Sequence, residues 1–419
     1  MPLSLLKPFQ PAQVAPLLLV LCLSAAAHSQ SAGPTTSAKS PASSQPAKPK
    51  PAKPSKPHRQ AFEPESLADV SNVRRVNLTQ LDEALRESRG RSDKKIAKQL
   101  ARLGLTERFS LARVAQAQSR LPGKRSRQAL ALLADASAFL PLPDTDLPAL
   151  PRPTLADQSQ MLSRAVSFVA VNLSHLPNFL ATRITEQYKR MDPNGQNPSR
   201  VPDWSHFATH RETIFFRDGR EVSNPQKHGA AVLHDVAHLD VNGTFGTILV
   251  IVFRDAAHGK IEWSHWEQGA LGPVAVYRYR IAKAESHYDI KFESLTGARL
   301  RRILQHQPTA YHGEIGVDPS SGAILRLTLE ADPDPTSPIR RSDIAVDYGL
   351  VPIGGRKYTV PLYSVAISRG WTIATGQDGQ TEGYGDEISI LNQVTFTDYH
   401  VFRSESRILT GKPAEPDKQ

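Results

Sequence analysis

From Phe179 to Leu409 apolar and polar residues alternate in twos, the period of a strand with one face buried and the other wet. Tyr277, Tyr279 and Ile281 lie opposite Arg278 and Arg280, and Tyr288, Ile290 and Phe292 alternate with His287, Asp289 and Lys291. Ala323, Leu325, Leu327 and Leu329 oppose Arg326, Thr328 and Glu330. Turn signals separate the runs: Asp218-Gly219, Asp318 to Gly322, and Gly354-Gly355. Strands joined by tight turns predict an antiparallel sheet of roughly eight to eleven members, the Tyr288 to Phe292 segment among them. Thr244 to Phe253 is apolar almost throughout; a short helix tucked against the sheet is the expectation there, although a buried strand has the same pattern. Gly370, Gly376, Gly379, Gly383 and Gly385 predict a mobile loop over 369–385.

Upstream the period lengthens. Apolar residues recur at three and four in Leu78, Leu81 and Leu85, in Ile96, Leu100 and Leu103, and in Leu130, Leu133 and Phe139. That spacing predicts a helical domain over 63–140, with Thr79, Ser92 and Ser110 as N-caps and Pro122-Gly123 between its third and fourth helices. Five prolines make 141–153 a connector. A further helix is expected from Thr154, with Leu155, Met161, Leu162, Val166 and Val169 along one side, and it opens the β domain of 154–410. The fold class is therefore α+β: an N-terminal helical domain, then a large curved antiparallel sheet, a half barrel with packing helices.

Composition adds an address. Lys7, the apolar run Val14 to Ala27 and the small residues before His28-Ser29-Gln30 make 1–30 a signal peptide, and that run is too short to span a bilayer. Residues 31–62, rich in Pro, Ala, Ser and Lys, cannot bury a core and read as a disordered tether; 411–419 reads as a disordered tail. An exported protein, periplasmic or associated with the outer membrane, follows. The only cysteine, Cys22, lies in the leader, so a mature chain cleaved beyond it has no disulfide or thiolate chemistry. The formal charge is +10, of which residues 1–60 carry +7, leaving +3 for the rest. A nearly balanced body argues against a nucleic-acid partner, while the basic tether allows peripheral contact with an anionic envelope.

Several short motifs carry a resemblance. Leu176-Pro-Asn-Phe179, Gly243-Thr-Phe-Gly246, Trp263-x-x-Trp266, Tyr277-Arg-Tyr-Arg280, Tyr311-His-Gly313, Val317-Asp-Pro319 with Gly322, Leu329-Glu-Ala-Asp332, Ile353-Gly-Gly355 and Pro361-Leu362 resemble a family of uncharacterised exported bacterial proteins. The sheet pattern is in turn similar to that of the periplasmic lipoprotein carrier and sorting proteins. That resemblance implies a half barrel closed by helices, a concave apolar surface for acyl chains, no catalytic residue and no cofactor. It makes a lipid or a lipidated protein the expected partner. The chain departs from those carriers in its length, its helical leader and its tether.

Aromatic residues are the functional lead: Trp263, Trp266, Tyr277, Tyr279, Tyr288, Phe292 and Tyr311 are expected to line one sheet face and bind an apolar ligand, or else to fill the core beneath the helices. The enzyme alternative is a metal-dependent hydrolase on His234-Asp-Val-Ala-His238, because two histidines four apart on a helix can share zinc, with Asp235 as base and His228 or Asp240 as further ligands. No nucleophile elbow, phosphate loop or dinucleotide fingerprint is found. A third reading is a structural or interaction module of the envelope. Because the tether supports no core, deleting Ser31 to Gln60 is expected to leave the thermal midpoint unchanged within about two degrees; a drop of about ten degrees would place the segment against the folded body.

Overall fold

The structure, a computed structural model, describes residues 74–192, 204–217, 220–222, 247–296, 301–375 and 381–401. Four helices fill the first part: α1 (Leu78–Glu87), α2 (Asp93–Leu100), α3 (Leu111–Gln118) and α4 (Lys124–Ala136). Helix α1 starts at Asn77 rather than Thr79. The Asn77 side chain accepts from the backbone N–H of Gln80 at 2.9 Å while Gln80 accepts from that of Asn77 at 3.0 Å, a reciprocal cap that Thr79 cannot make from inside the helix. Ser92 and Ser110 precede α2 and α3 as expected, and Gly123 precedes α4. A two-stranded parallel pair, β1 (Arg74–Val76) and β2 (Leu103–Leu105), joins the helices and has no sequence signal at three residues each. Val76, Leu81, Ile96, Leu100, Leu130 and Leu133 close the helical core.

Beyond the connector, α5 (Leu155–His175) begins at Thr154 with a second reciprocal cap, to Asp157. Its buried stripe is Met161, Ala165 and Val169, whereas Leu155 is 78% exposed. The strands are β3 (Phe179–Asp192), β4 (Ser205–Arg217), β5 (Arg220–Val222), β6 (Lys260–Gly269), β7 (Gly272–Ile281), β8 (Asp289–Thr296) and β9 (Arg301–Pro308). They continue as β10 (Ala310–Val317), β11 (Ile324–Asp332), β12 (Ile339–Ile353), β13 (Arg356–Thr375) and β14 (Thr381–Val401), and α6 (Thr247–Ala256) is the expected short helix.

Ten strands form one open, curved antiparallel sheet in the order β5-β4-β3-β14-β13-β12-β11-β10-β7-β6. Strands β10 to β14 are a meander. The first long strand, β3, then pairs with the last, β14, and the β6–β7 hairpin closes onto β10. Among the described residues hairpin β8–β9 pairs only with itself, so the Tyr288 to Phe292 run is not a strand of the ten-stranded sheet. Its alternation records one buried face, and cannot say which layer buries it.

The glycine-rich stretch also departs from expectation. Arg369 to Thr375 and Thr381 to Gly385 belong to two long paired strands, β13 and β14, so Gly370, Gly383 and Gly385 lie within the sheet; Gly376 and Gly379 lie outside the described residues. A Cβ on Gly370 would meet the Pro338 carbonyl at 2.8 Å, so the glycine marks a close backbone approach. At Gly354-Gly355, φ values of +60° and +87° make the tight β12–β13 turn that the sequence predicts.

Helices pack on both faces of the sheet. On the inner face α5 and α6 lay Met161, Val169, Ile248 and Val252 over β7, β10, β11 and β12. On the outer face α4 turns a second apolar side, Leu132 and Ala136, toward Tyr188, Val365, Ile367 and Leu391. Asp135 is buried at that junction, where it accepts hydrogen bonds from the Tyr363 hydroxyl at 2.8 Å and from Gln393. Burial pushes its carboxyl from 3.8 up to about 6, although both hydrogen bonds oppose the shift. An acid whose folded pKa is raised stabilises most fully below its unfolded value and loses that stabilisation as pH rises to the folded one. Asp135→Asn is therefore expected to hold or raise stability at pH 7, by up to roughly 3 kcal/mol, and to remove the part of the pH dependence between about 4 and 6 that Asp135 supplies. Denaturant titrations of both proteins across that range test this; a less stable variant with an unchanged slope would refute it.

Candidate functional site

Seven aromatic positions were singled out above, and six have described side chains. Tyr277 and Tyr279 alternate inward from β7, and Tyr311 does so from β10, while Arg278 and Arg280 point away. Trp263 and Trp266 on edge strand β6 are three apart and would face opposite ways in a regular strand. A bulge between Trp263 and His265 resets the register, so that Trp263 pairs with Tyr277 and Trp266 with Ala275, both inward. The two indoles meet edge to face at 4.9 Å, and Trp263 meets Tyr277 at 5.6 Å. Tyr279, Tyr311 and Tyr288 continue as a second run of edge contacts at 5.9 and 5.8 Å. Phe292 lies on β8, with its side chain outside the described residues.

The tyrosines are closed in. Tyr277, Tyr279 and Tyr311 are 2%, 1% and 0% exposed, and each hydroxyl has a protein acceptor. Tyr277 donates to the Gln158 carbonyl of α5 at 2.7 Å, Tyr279 to the Thr328 carbonyl of β11 at 2.6 Å, and Tyr311 to the Asp255 carboxylate of α6 at 2.8 Å. Tyr288 shares a 3.1 Å hydrogen bond with Ser342. Burial pushes Tyr277 and Tyr288 up to about 12 and Tyr279 and Tyr311 well above the ordinary phenol value. All four are neutral, Tyr277, Tyr279 and Tyr311 as donors, and with α5 and α6 seated they fill the inner face as packed core.

Asp255 organises one end of this layer. Fully buried, it accepts from Tyr311, from the backbone N–H of His287 at 2.8 Å and from His287 Nδ1 at 2.5 Å. A single acid on the inward side of an otherwise apolar helix was a legible signal, because such a group must be paired. Its partners were not legible, since His287 lies 32 residues further on.

His234 and His238, with Asp235, His228 and Asp240, lie outside the described residues. Among the described residues one set of metal-type donors, His265, Glu267 and Glu314, converges with its atoms within 4.8 Å of one another. Arg108 from the helical domain already pairs with Glu267. Burial would raise the Glu267 carboxyl, but the His265 hydrogen bond and the Arg108 guanidinium outweigh it and hold the group at about 2. The cluster is thus an ion pair that ties the helical domain to β6.

Outside the covered face, a groove of about 630 Å³ runs along α5, with Phe168 and Val171 beside Gln160, Arg164 and Asn172. On the sheet's other face Arg280, His312, Glu330 and Asp343 are successive cross-strand neighbours. Burial and the Asp343 charge hold Glu330 at about 7 there.

Comparison with protein-family models, curated proteins and solved structures finds no match for this chain.

Tyr279 reaches Thr328 by crossing β10 at its partner Gly313, where a Cβ would overlap the Thr328 carbonyl and meet the Tyr279 hydroxyl at 2.8 Å. Gly313→Ala is expected to cost about 3 kcal/mol in denaturant unfolding, as overpacking against fixed backbone does. Exposed Arg278→Ala is expected to change stability by less than about 0.5 kcal/mol. Equal losses at both positions would mean that the inward and outward assignments are wrong.

Proposed function

We propose that this chain is an exported, non-enzymatic binding or carrier protein of the cell envelope, whose ligand surface is the inner sheet face after its helical cover lifts. The observation that carries the reading is how that cover is held. Helices α5 and α6 sit on an apolar face, and Tyr277 ties the first to the sheet as Tyr311 ties the second. A helix satisfies its own backbone hydrogen bonds, so lifting α6 breaks side-chain contacts and no strand ladder. Apolar surface exposed in that way costs about 25 cal/mol per Å², which favours reclosure unless an acyl chain replaces the helix. Each buried methylene of such a chain contributes about 0.8 kcal/mol. Lipid or lipidated protein is the ligand class that the resemblance implies and that this face would take.

One observation favours the interaction-module reading instead: each of the four tyrosine hydroxyls already has a partner, as in a core that never opens. Uptake of a fluorescent fatty acid by the wild type and by Tyr311→Phe separates the two. Phenylalanine keeps the ring and removes the tie to Asp255, at an expected loss of about 1 to 2 kcal/mol in stability. A carrier is expected to take up the probe, and the variant to take it up faster or more tightly, because the open state is more populated. Absence of uptake in both proteins would overturn the carrier reading in favour of a solid module. Stoichiometric zinc in the purified protein would move the reading to the hydrolase.

A further inference from the structure

The near-balanced charge of the folded body conceals a segregation. Between Arg74 and Leu140 there are 15 Lys and Arg against 6 Asp and Glu, a balance of +9, while residues 61–73 carry three acids and no Lys or Arg, and residues 141–419 carry 29 against 32, or −3. Thirteen of those 15 cations are exposed. The two that are not, Arg108 and Arg113, pair with Glu267 and Asp146 and hold the domain in place. The helical domain is therefore the positive end of the folded chain.

Folding concentrates this charge further. Asp93, the first residue of α2, accepts the backbone N–H groups of Arg125 at 3.1 Å and Ser126 at 2.8 Å, fastening the first turn of α4 to that of α2. A Cβ on Gly123 would strike the Asp93 carboxylate at 2.6 Å, so the glycine permits the approach. Ile96 and Leu100 face the core, which leaves Lys94, Lys95 and Lys98 on the solvent side of α2 with exposed Arg91 just ahead of it, and the fastened turn sets Lys124 and Arg125 beside them. Cations from two segments some thirty residues apart thus share one surface.

We propose that this surface docks the protein on an anionic phospholipid membrane. Charge complementarity selects the phosphate-bearing class of partner. Two further observations favour a membrane over nucleic acid. No large exposed apolar or aromatic residue lies between 74 and 140 among the described residues, so no side chain is available to stack on a base. Residues 31–60, ahead of the acids Glu63, Glu65 and Asp69, also carry Lys48, Lys50, Lys53 and Lys56 without any acid, a polybasic composition that anionic lipid surfaces attract. The docking surface belongs to the helical domain and does not depend on whether the inner sheet face takes a ligand.

Sedimentation of the full chain with vesicles tests the proposal. The chain is expected to bind vesicles of phosphatidylcholine with about 30% phosphatidylglycerol, to leave phosphatidylcholine vesicles in the supernatant, and to be released at about 0.5 M salt. Each cation near such a surface is worth about fivefold in affinity, so K94Q/K95Q/K98Q/R125Q is expected to weaken binding at least about tenfold with its thermal midpoint retained. Should that variant unfold, K94E/K98E, which alters only two exposed side chains, is read in its place. A quadruple K48Q/K50Q/K53Q/K56Q is expected to lose less, because the gathered cations of α2 and α4 remain. Three outcomes overturn the proposal: binding that ignores lipid charge, a helical-domain variant that binds as the wild type does, or duplex DNA held more tightly than vesicles at equal salt. Vesicle binding without fatty-acid uptake would leave this inference standing and remove the carrier reading alone.

Discussion

The inner face of the sheet rests on a missing side chain. Gly313 leaves an opening in β10 through which Tyr279 of β7 reaches the Thr328 carbonyl of β11, so one hydroxyl fastens three strands. Thr328 answers from the other side, where its hydroxyl accepts the backbone N–H of Glu314 at 2.9 Å. With the register of these strands fixed, Tyr277 and Tyr311 arrive at the heights at which α5 and α6 present an acceptor. Slipping one strand by a single residue would turn every tyrosine to the wrong face. The helical cover, and any function it serves, therefore depends on that glycine.

The second constraint is that part of the sheet, around β3, β13 and β14, is also covered on its outer side, which an antiparallel sheet does not require. Helix α4 makes it so by carrying two apolar faces, one for the helical core and one for the β13–β14 region. Polar contacts then set the angle of docking. Gln128 donates to Tyr188, Asp135 receives Tyr363 and Gln393, Arg326 reaches the Ala138 carbonyl at 2.9 Å while pairing with Asp347, and Arg108 meets Glu267. Such a network is worth little if half satisfied, so the helical domain is expected to dock fully or not at all.

These two faces divide the labour of the molecule. The inner face is apolar, aromatic and covered by helices that lateral contacts retain, which suits a ligand that exchanges with its own cover. The outer side carries a rigidly docked domain whose cations remain in solvent, which suits a fixed attachment. On the proposed carrier reading, a closed resting state and a docking surface are both required, and the two would fall on opposite sides of one sheet.

Periodicity determined the α+β class, three of the upstream helices, the start of the sheet at Phe179, and the inward and outward sides of β7, because amphipathic alternation is a local consequence of which face is buried; α3 was marked by Ser110 and Pro122-Gly123 alone, and Leu103 of the second periodic run lies in β2. The apolar run at α6 was legible as a buried segment, helix or strand, and turn residues marked the turns at Gly322 and Gly354-Gly355, since positive φ selects its own residue. Only the tertiary structure decided which strands are neighbours. The union of β3 with β14, the exclusion of β8–β9 from the sheet and the paired strands across the 369–385 glycines all rest on contacts between distant segments that leave no local pattern. The same holds for the site. Aromatic residues announced an apolar face, but whether it stands open or packed depends on where Gln158, Asp255 and Thr328 place their acceptors, and those lie 119, 56 and 49 residues from the tyrosines they meet. Net charge likewise averaged away over the folded body, and became a surface only when Asp93 brought α2 and α4 together.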